Sequence, residues 1–463
     1  MIKSTVVDDK VVHRLVRGFG ANLYGQAVIV AIQLSGVPIL LQHWLPTLYG
    51  EWLILAAIPF YLSLTDLGFS QSAANDMTAR VARGDRSGAL SAFQSLWALI
   101  LLVIVVGLIL LTAATTLLPL GSWIHFSRMS VHDVRWVMWL LCAEVLLKLQ
   151  DGVNHAGFRA SGDYALHTSV YYSTLLMQHA SVWLLAALGR GPVAAALAFL
   201  LIRLAVTPAV AIWLTRRHRW LHLGFDHAHL AQLRALIRPA LANIGIPLSQ
   251  ALNVQGMVLL LGALLGPLAV VTFSTLRTLT RLALQLVQIV GNAAEPEFAA
   301  AFGSDNRDLL QNLYRHVLRG GLWLSLAAAS GLMVAGGAIL QLWTHGKVKM
   351  DPQLFHWLLA SAVASVLWYG SLITLKAANR HLRISIVYAV ASGTALLLAA
   401  ILVRAHGQAA SAGMSLLVMD AVMAVYALRA AASLRNSSVT SDLLSALNPL
   451  PLVELLAQKR RDR

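Results

Sequence analysis

Two arginines one helical turn apart, Arg277 and Arg281, lie inside an apolar stretch that runs from about residue 266 to about residue 298. On a helix they share one face with further polar residues spaced by three or four, while Leu, Val, Ala and Phe cover the other faces. A charge in mid-membrane costs at least about 2.5 kcal/mol on insertion scales, so this stripe predicts a cavity filled by water or ligand. Two guanidinium groups on one wall fit a diphosphate, which arginine binds bidentately. The open alternative is pairing with Asp66 or Asp420, which would leave no net anion site.

Three carboxylates inside apolar stretches, Asp66, Asp151 and Asp420, are candidates for coupling to an ion. Asp66 stands alone in its stretch, and a low dielectric disfavours an ionised carboxylate, so a proton would bind there readily; the alternative is a structural salt bridge. Glu144, Lys148 and Asp151 follow one another at i, i+4 and i+7 and can neutralise one another along one helix face. They form either an ion-coupling or substrate-binding group or an ion pair that fixes their helix to a neighbour.

Polar residues on the faces of other apolar stretches predict the lining of the cavity. The predicted lining residues are Asn22, Gln26, Glu144, Lys148, Tyr171, Gln178, Asn243, Gln250, Asn253, Gln285 and Gln288. Four histidines between residues 218 and 229 lack a carboxylate or cysteine at ligand spacing, so we expect neither a metal nor a cofactor. Because the sequence has no nucleotide-binding glycine loop and no GxSxG nucleophile motif, we expect neither ATP hydrolysis nor an enzyme.

The composition is that of a membrane protein: 58% of the 463 residues are hydrophobic, 12% are charged, and the mean hydropathy is +0.69. Soluble domains carry about 25% charged residues, so these values predict a polytopic membrane protein. The net charge of +15 would suggest nucleic acid in a soluble chain. Here the basic residues are concentrated in loops between apolar stretches, and no nucleic-acid partner is expected. The single cysteine, Cys142, excludes a disulfide framework.

Apolar stretches of about 20 residues predict twelve membrane-spanning helices. Their approximate ranges are 20–43, 51–74, 90–118, 134–156, 166–188, 192–214, 239–261, 266–294, 316–342, 353–376, 383–403 and 410–430. Most Lys and Arg residues fall in the loops and tails on the side of the N-terminus, so the positive-inside rule places both termini in the cytoplasm. The segment DHAHLAQLRALIR predicts an amphipathic helix on the membrane surface.

The two halves of the chain align at a nearly constant offset of about 220 residues, which places residues 73–75 (Ala-Ala-Asn) on residues 293–295 (Ala-Ala-Glu). A repeat of six spans keeps its orientation in the membrane. The predicted fold is therefore all-α, with about twelve transmembrane helices in two six-helix bundles related by a pseudo-two-fold axis along the membrane normal. The predicted domains are an N-terminal bundle (1–215), a cytoplasmic linker with an amphipathic helix (216–238), a C-terminal bundle (239–430) and a cytoplasmic tail (431–463).

Two segments, LYGEWLILAAIPFYLSLTDLGFSQSAANDMTARVARGD and NHAGFRASGDYALHTSV, resemble the polysaccharide transporter family of Wzx-type flippases for O-antigen and other lipid-linked oligosaccharides. That family belongs to the multidrug/oligosaccharidyl-lipid/polysaccharide (MOP) exporter superfamily, which includes the multidrug and toxin extruders. The resemblance implies twelve spans in two bundles, alternating access coupled to an ion gradient, and no use of ATP. It also implies that Asp66, in the TDLG motif, and Arg277 and Arg281 are functional cavity charges.

The sequence thus predicts a flippase of the bacterial inner membrane, an antiporter of H⁺ or Na⁺ that moves an undecaprenyl-diphosphate-linked oligosaccharide outward. The product would be O-antigen, capsule or exopolysaccharide. Its expected partners are this lipid-linked oligosaccharide, membrane lipids, the coupling ion, and a polysaccharide polymerase with chain-length proteins. The first alternative is a multidrug extruder of the same fold, which would favour an aromatic, anionic pocket. The second, a glycan polymerase or ligase, needs a sizeable outer loop with catalytic groups, and the predicted outer loops are short.

Overall fold

The computed structural model describes residues 9–117, 126–304, 306–378, 380 and 382–449. The side chains of residues 9–15 and of several positions between 242 and 296 lie outside this description. The structure is 87% helical, and the described ranges contain no strand, in agreement with the predicted all-α fold. Its residues divide into two compact units, Met1–Pro247 and Leu248–Arg463, which we call the N-terminal and C-terminal units.

The N-terminal unit is built from long helices joined by short turns. Its described helices are α1 (Asp9–His43), α2 (Pro46–Leu62), α3 (Phe69–Ala82), α4 (Arg86–Leu117), α5 (Val131–Ala160), α6 (Tyr164–Ala187), α7 (Pro192–Arg217) and α8 (Leu230–Asn243). Proline occupies the first turn of α2 and of α7, where its missing N–H costs no helical hydrogen bond. The start of α5 is capped by Ser130, whose Oγ accepts a 3.1 Å hydrogen bond from the backbone N–H of Asp133.

The second span of the N-terminal unit is broken near its middle. Helices α2 and α3 are separated by a 3₁₀ turn, Ser63–Asp66, followed by two residues with left-handed backbone, Leu67 (φ 49°) and Gly68 (φ 80°). A left-handed conformation is unfavourable for leucine, and only glycine adopts it without steric cost. The break therefore places Asp66 at the start of a new helix inside a membrane span.

The C-terminal unit follows the same plan. Its described helices are α9 (Gly245–Leu265, which begins at the boundary of the units), α10 (Pro267–Gly303), α11 (Arg307–Trp343), α12 (Pro352–Ala377), α13 (Leu382–His406), α14 (Ala410–Arg435) and α15 (Val439–Leu447). The side chains of Asn306 and Asp351 cap α11 and α12 by accepting the N–H groups of Leu309 and Leu354, each at 3.0 Å.

Each of the twelve predicted spans corresponds to a described helix. In the described ranges, nine helical segments are both long enough and apolar enough to be identified as membrane spans from length and composition. The three predicted spans that fall short are α5, α6 and α10, which are 30, 24 and 37 residues long. They are long enough to cross a bilayer, and they fall short because all three carry polar residues and α5 and α10 also carry charged ones. These polar helices are the ones on which most of the candidate site residues lie.

The predicted linker, residues 216–238, lies within the N-terminal unit, and its backbone atoms form hydrogen bonds with side chains of α4. The carbonyl of His227 accepts the hydroxyl of Ser91 at 2.8 Å, and the N–H of the same residue donates to Gln94 Oε1 at 2.7 Å. Helix α8 then packs against α3 and α4, with Leu236 and Ala240 buried. The amphipathic segment therefore buries part of its apolar face against protein.

In the predicted tail, α14 continues to Arg435, and α15 packs on α11. Arg435 Nη2 and Asp442 Oδ2 form a buried ion pair at 2.6 Å, and the guanidinium group of Arg435 stacks 3.4 Å from the ring centroid of Tyr314. A charged pair with every partner inside the protein fixes α15 to the end of the bundle. The remaining part of the tail, residues 450–463, lies outside the described residues.

Candidate functional site

Buried charges of α5, α6 and α7 form one connected cluster in the N-terminal unit. Arg203 of α7 lies at its centre and is 3% exposed. Its Nε donates to Glu144 Oε1 at 2.8 Å, and its Nη1 donates to Asp151 Oδ2. Its Nη2 donates to Gln178 Oε1 at 3.1 Å, so one guanidinium group binds two carboxylates and an amide on two neighbouring helices.

Two further hydrogen bonds complete this arrangement, which we call the Arg203 cluster (Glu144, Asp151, Gln178, Arg203 and Thr207). Gln178 Nε2 donates to Glu144 Oε1 at 2.9 Å, and Thr207 Oγ1 donates to Asp151 Oδ1 at 3.1 Å. The sequence analysis did not select Arg203, although its position inside a predicted span was a usable signal. The sequence shows that Glu144 and Asp151 share a face, whereas their common partner on α7 depends on tertiary packing.

Lys148, between the two carboxylates on α5, points to a different partner. Its Nζ lies 5.6 Å from the ring centroid of Tyr171 on α6, a cation–π arrangement. None of the ion pairs found among the described residues includes this lysine. The direct ion pairs of Glu144 and Asp151 are with Arg203 of α7, which agrees with the stated alternative of an ion pair that fixes their helix to a neighbour.

A cavity of about 320 Å³ lies beside the Arg203 cluster, between α1, α5 and α6. Its lining consists of Asn22, Lys148, Asp151, Gly152, His155, Tyr164, His167, Thr168, Tyr171 and Tyr172. Of the predicted lining residues, Asn22, Lys148 and Tyr171 are found here, with Asp151 at the edge shared with the Arg203 cluster. Glu144 and Gln178 belong to the cluster instead, and Gln26 lies on α1, half-buried and outside this lining.

The histidines of the cavity and two of its tyrosines, Tyr164 and Tyr172, were not predicted as site residues. The ring of His155 lies between those of Tyr164 and His167, with centroid distances of 5.4 and 5.3 Å. The hydroxyl of Tyr164 donates to Asn22 Oδ1 at 3.1 Å and so ties α6 to α1. His155 was visible in the polar stripe of its span, and His167 in the next, but their contact depends on the turn between α5 and α6.

Asp66 caps the helix that follows the break in the second span. Its Oδ1 accepts the backbone N–H of Ser70 at 3.1 Å and the Ser70 hydroxyl at 2.8 Å. A negative charge at a helix N-terminus is also favoured by the helix dipole. Helix α5 passes close to this point, because a Cβ atom added at Gly152 would lie 2.3 Å from Ser70 Oγ. Asp66 therefore stabilises the start of α3, in addition to placing a carboxylate within the span.

In the C-terminal unit, Arg277 of α10 is held by the backbone of α9. The segment Ala251–Gly256 of α9 is a π-helix, and the carbonyl of Asn253 within it accepts Arg277 Nη1 at 2.6 Å. The side-chain amide of Asn253 donates to the hydroxyl of Tyr388 at 3.0 Å. A π-helical turn changes which carbonyls remain free, and such turns are frequent at functional sites. Nothing in the sequence analysis indicated this turn.

The carboxylate of Asp420 is held by neutral donors. Ser361 Oγ donates to Oδ2 at 2.5 Å, and Trp368 Nε1 donates to Oδ1 at 3.0 Å. None of the ion pairs among the described residues joins it to Arg277 or Arg281, so the alternative of a direct salt bridge between these residues is not what the structure contains. Arg281 is half-buried, one turn beyond Arg277.

The other predicted lining residues of the C-terminal unit are dispersed. Asn253 is buried at the π-helix, Gln250 is exposed, and Gln285 and Gln288 are half-buried on α10. The side chain of Asn243 lies outside the described residues. No group of three or more histidine, cysteine or acidic side chains with the geometry of a metal site occurs in the parts of the chain that are described.

The sequence matches no protein-family model and no curated protein. Solved structures do match. An inward-facing multidrug resistance transporter of the MATE family, within the MOP superfamily, is 18% identical with a TM-score of 0.67, and the alignment covers 88% of this chain and 99% of that chain. A MATE structure in a bent conformation is 17% identical with a TM-score of 0.63, covering 94% of this chain and 97% of the other.

A third neighbour is a MOP superfamily transporter from Pyrococcus furiosus, described as having a binding pocket of reverse polarity that suggests a different function. It is 16% identical with a TM-score of 0.63, and the alignment covers 91% of this chain and 95% of that chain. The chain therefore has the fold of the MATE transporters, which have twelve helices in two bundles. The likeness shows the fold, whereas membership of the MOP superfamily and the finer resemblance to Wzx-type flippases stay predictions.

Proposed function

We propose that this chain is a secondary transporter of the MOP type, which exports its substrate by alternating access and couples each cycle to H⁺ or Na⁺. The observation that carries the proposal is the Arg203 cluster, in which two carboxylates share one guanidinium group inside helices that cross the membrane. Intramembrane charges are expensive to keep and are functional by default. The MATE fold supports the same conclusion.

The chemistry of the cluster supports ion coupling. Binding of a proton to Asp151 removes a negative charge and weakens its contact with Arg203, whose guanidinium group then pairs with Glu144 alone. Breaking a buried ion pair changes the free energy by about 3–5 kcal/mol. A shift from 1:99 to 99:1 between two conformations needs about 5.5 kcal/mol. A single protonation event in this cluster is therefore large enough to contribute most of the bias between inward- and outward-facing states.

For the substrate, the structural neighbours favour small amphipathic compounds of the kind that multidrug extruders carry over the lipid-linked oligosaccharide predicted from the sequence. We therefore place extrusion first. The flippase stays the second candidate because of one observation: no direct ion pair joins Arg277 or Arg281 to Asp420 among the described residues, so the two guanidinium groups keep donors for a diphosphate. In both cases the protein would lie in a bacterial inner membrane with its termini in the cytoplasm.

The test uses the full chain in liposomes with an imposed H⁺ or Na⁺ gradient. We expect gradient-driven movement of ethidium for an extruder, and of a fluorescent undecaprenyl-diphosphate oligosaccharide for a flippase. Asp151→Asn should abolish the effect of the gradient, whereas Asp226→Asn, which changes an exposed loop carboxylate, should not. Movement of neither probe under either gradient would reject the proposal. Loss of flipping in the Arg277→Ala, Arg281→Ala double variant, with ethidium unmoved, would make the flippase the first candidate.

A further inference from the structure

We propose that the cavity between α1, α5 and α6 binds an organic anion that carries a ring, with the ammonium group of Lys148 as its counter-ion. The cavity is the one described above, of about 320 Å³. The inference rests on the proposed transport function and names the chemical class of the substrate for this site. It gives the site a polarity opposite to that expected for a cationic drug.

The ionic contacts around Lys148 support the proposal. The carboxylates that flank it on α5, Glu144 and Asp151, both accept hydrogen bonds from Arg203. The second oxygen of Asp151, which also borders the cavity, accepts the hydroxyl of Thr207 at 3.1 Å. The two bases balance the two carboxylates in number, but the direct ion pairs all go to Arg203, and none of those found among the described residues includes Lys148. Its half-buried ammonium group therefore keeps donors that an anionic ligand in the cavity can accept.

Uncharged polar side chains in the cavity lining also fit an anionic ligand. His167 is 5% exposed, and its Nδ1 is buried without a hydrogen-bond partner among the described residues. A buried polar atom without a partner is unfavourable, and a hydrogen bond to it would stabilise the site. Asn22 adds an amide to the same lining. Its Oδ1 accepts the hydroxyl of Tyr164, so its Nδ2 is the atom that can donate a hydrogen bond to a phosphate or carboxylate oxygen.

The volume and the aromatic walls of the cavity fit a ligand with a ring. Ligand sites for drug-sized molecules have volumes of about 300–1,000 Å³, so this cavity accepts a ring with its charged group and little more. Tyr164, Tyr171 and Tyr172 provide aromatic walls. The ring of Tyr172 is fixed against α1, because a Cβ atom at Gly25 would lie 2.1 Å from it. An amphipathic substrate would bind with its charged ring in this cavity and its apolar part outside the cavity.

The test measures binding of three fluorescent probes to the purified full chain. The probes are 4-methylumbelliferyl phosphate (anionic), 4-methylumbelliferyl glucoside (neutral) and ethidium (cationic). Lys148→Met should weaken binding of the phosphate probe by about ten- to a hundredfold, which is the range for losing a hydrogen bond to a charged group. Binding of the glucoside should change less than threefold, and Lys148→Arg, which keeps the charge, should retain most of the phosphate binding. Lys376→Met is the matched control, since Lys376 does not line the cavity.

Equal binding of the phosphate probe by the parent and by Lys148→Met would overturn the inference, as would tighter binding of ethidium than of the phosphate probe to the parent. Equal loss of all three probes in Lys148→Met would also contradict it, because collapse of the cavity, not charge, would then explain the result. The liposome experiment separates the two proposals. Gradient-driven movement of ethidium with phosphate binding independent of Lys148 refutes this inference alone. Binding dependent on Lys148 without gradient-driven movement of any probe refutes the transport function and supports the site.

Discussion

Replacing Arg203 by methionine should destabilise the N-terminal unit strongly. The substitution leaves two carboxylates, Glu144 and Asp151, whose side chains are 7% and 14% exposed, with one base nearby on α5, Lys148. It also removes the donor that Gln178 Oε1 accepts. Removing one member of a buried ion pair costs about 3–5 kcal/mol, because the other charge stays buried without compensation.

The expected shift can be measured as a melting temperature. For a unit of the length of Met1–Pro247, each kcal/mol corresponds to about 2–4 °C, so we expect Arg203→Met to lower Tm by about 6–20 °C. Cys142 is the single cysteine of the chain and is buried, so a thiol-reactive fluorescent dye reports unfolding at one defined position. The assay needs no engineered label.

A double variant gives the decisive control. Arg203→Met combined with Glu144→Gln leaves Asp151 and Lys148 as one negative and one positive charge, so the cluster is again neutral. If uncompensated charge is the cause, the double variant should melt several degrees above Arg203→Met alone, as expected for neighbours whose effects are not additive. The reasoning is refuted if Arg203→Met melts within about 2 °C of the parent, less than the shift of a single kcal/mol, or if the added Glu144→Gln lowers Tm further.

Two more variants test the ends of the helices. Asp442→Asn breaks the buried pair with Arg435, and we expect α15 to lose protection against amide hydrogen exchange while the spans keep theirs; unchanged protection would contradict its role as an anchor. Burial raises the pKa of the Asp163 carboxyl, but hydrogen bonds from Arg217 and His218 outweigh it and leave that pKa below the usual 3.8. The stabilisation is therefore present above the unfolded pKa and is lost as the pH falls through the folded pKa. We expect Asp163→Asn to flatten the fall in Tm between about pH 5 and about pH 3, and an equally steep fall would show that other carboxylates cause it.

The positions of the helices could be predicted from the sequence because each one is an apolar run bounded by turns and charges. Even the polar helices α5, α6 and α10 were recognised, since their polar residues recur at helical spacing on one face. The turn at Ala251–Gly256 could not be predicted in this way: a π-helix has the same residues as an α-helix and differs only in which carbonyl each N–H meets. The break at Leu67 and Gly68 had a signal in its glycine, but a single glycine in a span is weak evidence.

The partners of the buried charges were harder to predict than the charges themselves. The sequence contains few carboxylates within spans, and the analysis paired them with Arg277, Arg281 and Lys148. In the structure, Arg203 takes both carboxylates of α5, and Asp420 is held by Ser361 and Trp368. Spacing along one helix fixes which residues share a face, whereas partners on other helices depend on packing angles that no single-helix pattern contains.

The buried charges of the two units have different partners. In the proposed transport cycle, the N-terminal unit would therefore couple to the ion and the C-terminal unit would bind an anion. In the N-terminal unit, Arg203 is bound to both carboxylates of the cluster, so any proton that enters changes the balance of the whole cluster. In the C-terminal unit, Arg277 is bound to a carbonyl, which fixes the guanidinium group without cancelling its charge. A guanidinium group held in this way can still bind an anion with its remaining donors. Substitutions at Asp151 should therefore alter the dependence of transport on the ion gradient, and those at Arg281 should alter the affinity for anionic substrates.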